Sequence, residues 1–201
     1  MNILDDKEFY EALQSINRTS QHLSNTIDDF RNFFSPNKEI NKFYISELIK
    51  KSKDLIKSRF DKFNIKVIEN IDDIEILSYQ NELFQVILNL FSNSIDVLSS
   101  SQIENKIIYI KIYHDENNLY IEFLDNGGGI KDEFINRVFE PYFTTKHKSQ
   151  GTGIGLYMSL QIVTKHLNGE ISVKNDTFIE NNIAYFGAKF TILLPIHPKN
   201  S

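Results

Sequence analysis

Apolar residues recur along residues 9–34 at spacings of four and three: Phe9, Leu13, Ile16, Leu23, Ile27, Phe30 and Phe34, with Ser20 in the same series. The pattern predicts a long helix carrying an a/d heptad seam that is broken once, at Ser20. So narrow a stripe has to be covered by another helix or by a second copy of itself. Pro36 ends the helix, since its ring clashes with the preceding turn and its nitrogen carries no proton, and residues 36–45 read as a linker. From Ser46, which can cap a helix, Leu48, Ile49, Leu55, Ile56, Phe60 and Phe63 fit one apolar face. Short strands are predicted over 65–71 and 74–77. A further helix over about 82–98 has Leu83, Val86, Ile87, Leu90, Phe91 and Ile95 on one face and Gln85, Asn89, Asn93 and Asp96 on another stripe.

Residues 107–113 and 119–124 are alternating or apolar runs separated by Asp115-Glu116-Asn117-Asn118, which predicts a β-hairpin ending at Asp125. A short helix near 132–138, a polar connection to Gln150, a helix over 154–167 and strands over 169–174 and 184–194 complete the pattern. The mixture predicts an α+β fold, with helices on one face of a sheet. The chain divides into a helical region over 1–35, the linker, a domain over 46–196 and a tail over 197–201.

Composition narrows this little, but usefully. A chain of 201 residues with 41% hydrophobic content can bury a core, and its sixteen Phe and nine Tyr beside no Trp make that core Phe-rich. No cysteine is present, which removes disulfides, thiolate zinc sites and thiol chemistry. A net charge of −5 argues against a nucleic-acid partner. No run is long and apolar enough to cross a membrane and the first residues lack signal-peptide character, so the chain reads as cytosolic.

Candidate chemistry concentrates in two glycine-rich stretches, Asp125-Asn126-Gly127-Gly128-Gly129-Ile130 and Gly151-Thr152-Gly153-Ile154-Gly155-Leu156. Glycine allows positive φ and lets main-chain N–H groups approach a phosphate with no Cβ in the way. Two such loops in order point to a nucleotide phosphate site. Neither is a P-loop nor a Rossmann fingerprint, so a different nucleotide fold is required.

Four blocks now stand in fixed order: Gln85 to Asp96, with Asn89 and Asn93; Asp125 to Ile130; Phe139-Glu140-Pro141-Tyr142-Phe143-Thr144-Thr145-Lys146; and Gly151 to Leu156. Together they resemble the N, G1, F and G2 boxes of bacterial sensor histidine kinases. These belong to the GHKL ATPases, with type II topoisomerases, mismatch-repair ATPases and heat-shock chaperones. The resemblance covers residues 43–195. It implies the Bergerat fold, a two-layer α/β sandwich of a mixed sheet with helices on one face, preceded by the second helix of a dimerisation and phosphotransfer hairpin.

The resemblance assigns ATP or ADP and Mg²⁺ to the site. It makes Asn93 and Asn89 metal ligands, with Asn89 also able to orient water or the γ-phosphate. Hard oxygens suit Mg²⁺, although the two Asn residues also fit the wet face of an amphipathic helix. Asp125 becomes the adenine anchor, or otherwise a turn residue bonded to its own backbone. Gly127 and Gly129 let the chain pass the base. Gly151, Thr152, Gly153, Gly155 and Leu156 surround the phosphates, or else form a helix-capping turn. Lys146, beside Thr145 on a mobile lid over 139–150, contacts the γ-phosphate. Asp96 matches the subgroup reading Asn-x-Ile-Asp and stands behind these residues. Phe139 and Phe143 pack the base of the lid.

The implied activity is transfer of the ATP γ-phosphoryl group to a histidine, then to a response-regulator receiver domain. No histidine here sits in an acceptor motif: His22 is followed by Leu23-Ser24-Asn25, and His114, His147, His166 and His197 match none. The acceptor helix is therefore expected outside this fragment, together with the sensor and any membrane anchor, and autophosphorylation of the fragment is not expected. Residues 9–34 leave room for a homodimer. Two other readings stay open: an ATPase or serine-directed kinase on the same fold, and a non-catalytic dimerisation piece.

Overall fold

A computed structural model describes residues 39–146 and 151–196, together with Phe9, Tyr10, Leu13, Gln14 and Ile16. These five isolated residues are helical and exposed. The predicted helix over 9–34 otherwise lies outside the described residues, as do His22, His147 and His197.

The described part begins with β1 (Asn41–Tyr44), α1 (Ile45–Phe63), β2 (Ile65–Ile71), β3 (Glu75–Ser78) and α2 (Gln80–Ser100). It continues through β4 (Lys106–His114), β5 (Asn118–Asp125) and the short α3 (Asp132–Ile135). Then come α4 (Gly155–Gln161), running into a π-helical turn over Ile162–His166, and the strands β6 (Glu170–Glu180) and β7 (Ile183–Pro195). Five strands form one mixed sheet in the order β2-β4-β5-β7-β6, with β2 parallel to β4 and the other neighbours antiparallel. β1 and β3 pair separately, so residues 41–44 are a strand where the sequence pattern reads a linker. The mixed sheet under helices is the expected two-layer α+β architecture.

One face of the sheet carries the core. Ile108, Ile110 and Ile112 of β4, Leu119, Ile121 and Phe123 of β5, and Ala188, Phe190 and Ile192 of β7 alternate inward, as a pleat requires. Against them lies the apolar stripe of α2, from Leu83 to Leu98. Phe91 ties the layers together: its ring meets Phe60 of α1 edge-on at 5.4 Å and Phe123 of β5 at 5.0 Å. Fully burying such a side chain contributes about 2 to 3 kcal/mol.

Ser46 is not the cap of α1. The helix starts one residue earlier, and the Ser46 N–H donates to Asp73 Oδ1 at 3.2 Å while Ile45 N–H donates to Ile74 O. A loop distant in sequence satisfies these orphan donors, which no local signature announces. At the other end Asn64 adopts φ 52°, the left-handed conformation that suits a helix C-terminus. Leu55, assigned to the apolar face by periodicity, is 64% exposed.

β6 runs well beyond its predicted end at 174, while β7 exceeds the predicted 184–194 by one residue at each end. Asn181 and Asn182 both take positive φ, 49° and 62°, and turn the chain with Glu180 opposite Ile183, the conformation a two-residue I′ hairpin needs. The resulting arm reaches over the outer face of the sheet. There Phe178 stacks on Tyr109 and Tyr185, each at 5.3 Å, and joins Ile107 and Leu124 in a second, smaller core. Lys66 of the far edge strand β2 ion-pairs with Glu180 at the arm's tip. Beside this core Lys189 bridges Glu122 and Asp176. Bonds from Lys189 and Lys174 hold the Asp176 carboxyl well below its ordinary range. Among the described residues no helix is long and apolar enough to cross a membrane.

Candidate nucleotide site

A cavity of about 390 Å³ opens between α2, the end of β5, the segment over 129–146 and the glycine turn before α4. Of the residues singled out from the sequence, Asn89, Asn93, Asp125, Gly129, Thr145, Lys146, Gly151, Thr152, Gly153, Gly155 and Leu156 line it. Gly127 does not, but its N–H donates to Asp125 Oδ1 at 2.9 Å.

Asp125 is the last residue of β5 and is 4% exposed. Burial pushes its carboxyl above the ordinary value of 3.8, against the lowering effect of donors from Gly127 N–H, Ala188 N–H and the Ser94 hydroxyl. Ser94 Oγ stands 3.4 Å from Oδ2. The carboxylate therefore sits at the floor of the cavity, fixed by two strands and a helix. β7 can approach it this closely only because position 187 is glycine: a methyl group there would run into the Asp125 carbonyl oxygen. Gly187 belongs to the closing strand, and nothing in the linear order shows that it faces Asp125.

The first glycine loop is held by two asparagines. Asn126, 6% exposed, accepts from Ile107 N–H at 2.8 Å and donates to Asn105 O at 2.7 Å, stapling the loop to β4. Asn175 of β6 bonds both the N–H and the carbonyl of Ile130. Gly129, at φ 81°, passes beside it, where a methyl group would come within 2.6 Å of Asn175 Oδ1. Asn175 was outside the sequence reading, because its strand was expected to end at residue 174.

On α2, Asn89 and Asn93 are one turn apart and face the cavity. Asn89 Nδ2 donates to Ser159 Oγ of α4 at 2.8 Å, and its oxygen lies against Gly155, where any side chain would collide with it. Asn93 Oδ1 lies 3.4 Å from Lys146 Nζ. Asn93 Nδ2 is buried with no hydrogen-bond partner among the described residues.

The opposite wall is a series of tight turns. Beyond α3, which ends sooner than the predicted 138, Arg137, Glu140 and Phe143 each donate to the carbonyl three residues back. Phe143 lines the cavity, its ring tilted against Phe134 at 5.6 Å and under the Arg137 guanidinium, so it does more than support the lid base. Phe139 does pack away from the site, edge-on to Phe190. Tyr142 N–H donates to Gly153 O at 3.0 Å, and Gly153, at φ 67°, leaves no room for a side chain against the Phe143 backbone. The two loops thus interlock. Asp96, placed behind the site by the sequence reading, lines the cavity and binds Lys146 and Arg59 at 2.7 Å each.

The arrangement offers a buried anionic acceptor at one end, crowded glycine backbone at the other and two amide side chains with a lysine between. Residues 78–198 match the profile of the histidine kinase-, DNA gyrase B-, and HSP90-like ATPases. Sporulation kinase E of Bacillus subtilis (strain 168) is 31% identical over 155 residues, which is 76% of this chain and 19% of that protein. Signal transduction histidine-protein kinase AtoS of Escherichia coli (strain K12) is 28% identical over 159 residues, 78% of this chain and 24% of that protein. The chain thus spans about a fifth to a quarter of the length of these curated relatives. Among solved structures, the nucleotide-free catalytic domain of histidine kinase ThkA is 26% identical, with a TM-score of 0.65 over 79% of this chain and 97% of that one. With its profile match, its site and its fold in agreement, the chain belongs to the histidine kinase-, DNA gyrase B-, and HSP90-like ATPase family, as an ATP-binding domain of the sensor histidine kinase type.

Proposed function

We propose that this domain binds ATP with Mg²⁺ and presents the γ-phosphoryl group to a histidine on a phosphotransfer helix, from which a response-regulator receiver domain takes it. The observation that carries the reading is Asp125, a carboxylate 4% exposed at the floor of a cavity whose other walls are glycine backbone and amide side chains. A buried carboxylate accepts the exocyclic amino protons of adenine and repels the carbonyl oxygen that guanine carries at that position.

The donor set suits a hard divalent ion. Asn93 and Asn89 offer amide oxygens one turn apart, and Mg²⁺ takes few protein oxygens and keeps several waters. The Ser159 bond to Asn89 Nδ2 leaves the Asn89 oxygen for that task or for orienting the terminal phosphate. When bound, the ion would offset phosphate charge. Gly151, Thr152, Gly153, Gly155 and Leu156 shape the phosphate end, Thr145 borders it, and Lys146 is the cation for the γ-phosphate. Gly127 and Gly129 keep the loop beside the base narrow. Dimerisation through residues 9–34 completes the proposal.

Calorimetric titration with ATP and GTP, each with and without Mg²⁺, tests the reading. ATP should be preferred, Mg²⁺ should strengthen it, and Asp125→Asn should weaken it about tenfold or more. Equal affinity for GTP, or an Asp125→Asn variant that binds ATP normally, overturns the adenine assignment. Adding a histidine-bearing phosphotransfer helix and labelled ATP then tests the transfer: an acid-labile phosphohistidine is expected, while steady phosphate release or acid-stable phosphoserine refutes it.

A further inference from the structure

Three charged groups from three elements meet beside the cavity, which Asp96 and Lys146 line. Arg59 of α1 reaches across to α2, donating to Ser92 Oγ at 2.9 Å and to Asp96 Oδ1 at 2.7 Å. The other carboxylate oxygen, Asp96 Oδ2, accepts from Lys146 Nζ at 2.7 Å, and that ammonium also lies 3.4 Å from Asn93 Oδ1. One carboxylate therefore holds two cations. One comes from the helical scaffold and the other from the segment that leads into the glycine turn.

This placement conflicts with a bound divalent ion. Asn93 Oδ1 is the oxygen assigned to the metal, and an ammonium within hydrogen-bond reach of it would face the metal's charge at close range. The lysine has to leave when the ion arrives, and the nearest alternative anion is the polyphosphate in the same cavity. The Lys146–Asp96 pair can yield: the two side chains are 29% and 34% exposed, so water screens the pair. Arg59 stays behind, so Asp96 is still paired after the lysine departs. Were Lys146 its only cation, releasing the lysine would leave a bare carboxylate facing phosphate.

We propose that Asp96, oriented by Arg59, is a positioning residue that parks Lys146 on Asn93 and releases it to the polyphosphate when a divalent ion takes over Asn93. The proposal rests on the nucleotide reading given above. It makes Asp96 and the phosphates competitors for one lysine.

The test is calorimetric binding of a non-hydrolysable ATP analogue, in Mg²⁺ and in EDTA, to the wild type, Asp96→Asn, Lys146→Gln and the double variant. In EDTA, Asp96→Asn should bind roughly three- to fivefold tighter than the wild type, the size of one screened ion pair. In the Lys146→Gln background the same change should gain nothing, because no lysine is left to release. Amine-directed acetylation of the nucleotide-free protein, read by mass spectrometry at Lys146, should be faster in Asp96→Asn. An equal gain in both backgrounds reduces Asp96 to simple repulsion and overturns the proposal, as does no gain at all. A wild type that fails to bind the analogue in Mg²⁺ refutes the nucleotide reading itself, whereas normal wild-type binding with additive variants refutes only the parked lysine.

Discussion

Asn89 of α2 and Ser159 of α4 are seventy positions apart in the chain and joined by one hydrogen bond, Nδ2 to Oγ at 2.8 Å. Ser159 is 2% exposed, so Asn89 gains a partner that water cannot easily replace. Ser159→Ala strands the Asn89 amide. The expected result is a stability loss of about 1 to 2 kcal/mol in urea denaturation and a several-fold weaker Mg²⁺-dependent binding of ATP by calorimetry. Unchanged binding would remove Asn89 from the metal and phosphate end of the site.

Gly187 tests how closely the sheet must approach Asp125. A methyl group there meets the Asp125 carbonyl, and forcing extra volume between packed strands costs about 1 to 3 kcal/mol. Gly128 is a useful contrast, since at φ 92° it has open space around it and suffers only backbone strain on substitution. Gly187→Ala should therefore impair nucleotide binding far more than Gly128→Ala, even where their melting temperatures fall together.

The raised pKa of Asp125 has a signed consequence. Burial favours the protonated acid in the folded state, so the folded value lies above the 3.8 of an ordinary carboxyl. Stability from this group is complete below that value and is lost as pH rises through the folded one. Relative to Asp125→Asn, the wild type should therefore lose stability as pH climbs from 3.8 through the raised folded value. Urea midpoints of the two proteins across that range check it. A difference that stays flat with pH contradicts the buried-carboxylate account.

Phe178 holds the arm of β6 and β7 on the outer face. Phe178→Ala removes its stacking on Tyr109 and Tyr185 and should cost about 3 kcal/mol. Hydrogen exchange should rise over residues 177–186 while ATP affinity is retained. Parallel loss of affinity would show that the arm supports the nucleotide loops.

The helices over 46–63 and 82–98, the hairpin ending at Asp125 and the two glycine loops were all legible in the linear order, because each rests on local periodicity or on backbone freedom at named positions. The residues that make those loops a site were not. Arg59, Asn175, Gly187 and Ser159 reach their partners across folded elements, and nothing in their immediate neighbours distinguishes them from a surface arginine, a loop asparagine, a strand glycine or a helix serine. Asp96 was visible as a residue on the right stripe, but its two cations come from α1 and from the segment before the glycine turn. Ser46 misled for the same reason, its helix being capped by Asp73.

The order of residues alone pointed to an α+β fold and a phosphate site, since hydrophobic period and glycine placement are properties of short stretches, and the four ordered blocks carried the resemblance to a nucleotide-binding family. Tertiary structure decided the depth at which Asp125 is buried, the bond that turns Asn89, the place where Lys146 rests and the arm that covers the outer face. Each of these depends on distances between segments that only a closed core brings within a few ångströms. The fold class can be read from local pattern, whereas the charge and geometry of the site follow from packing.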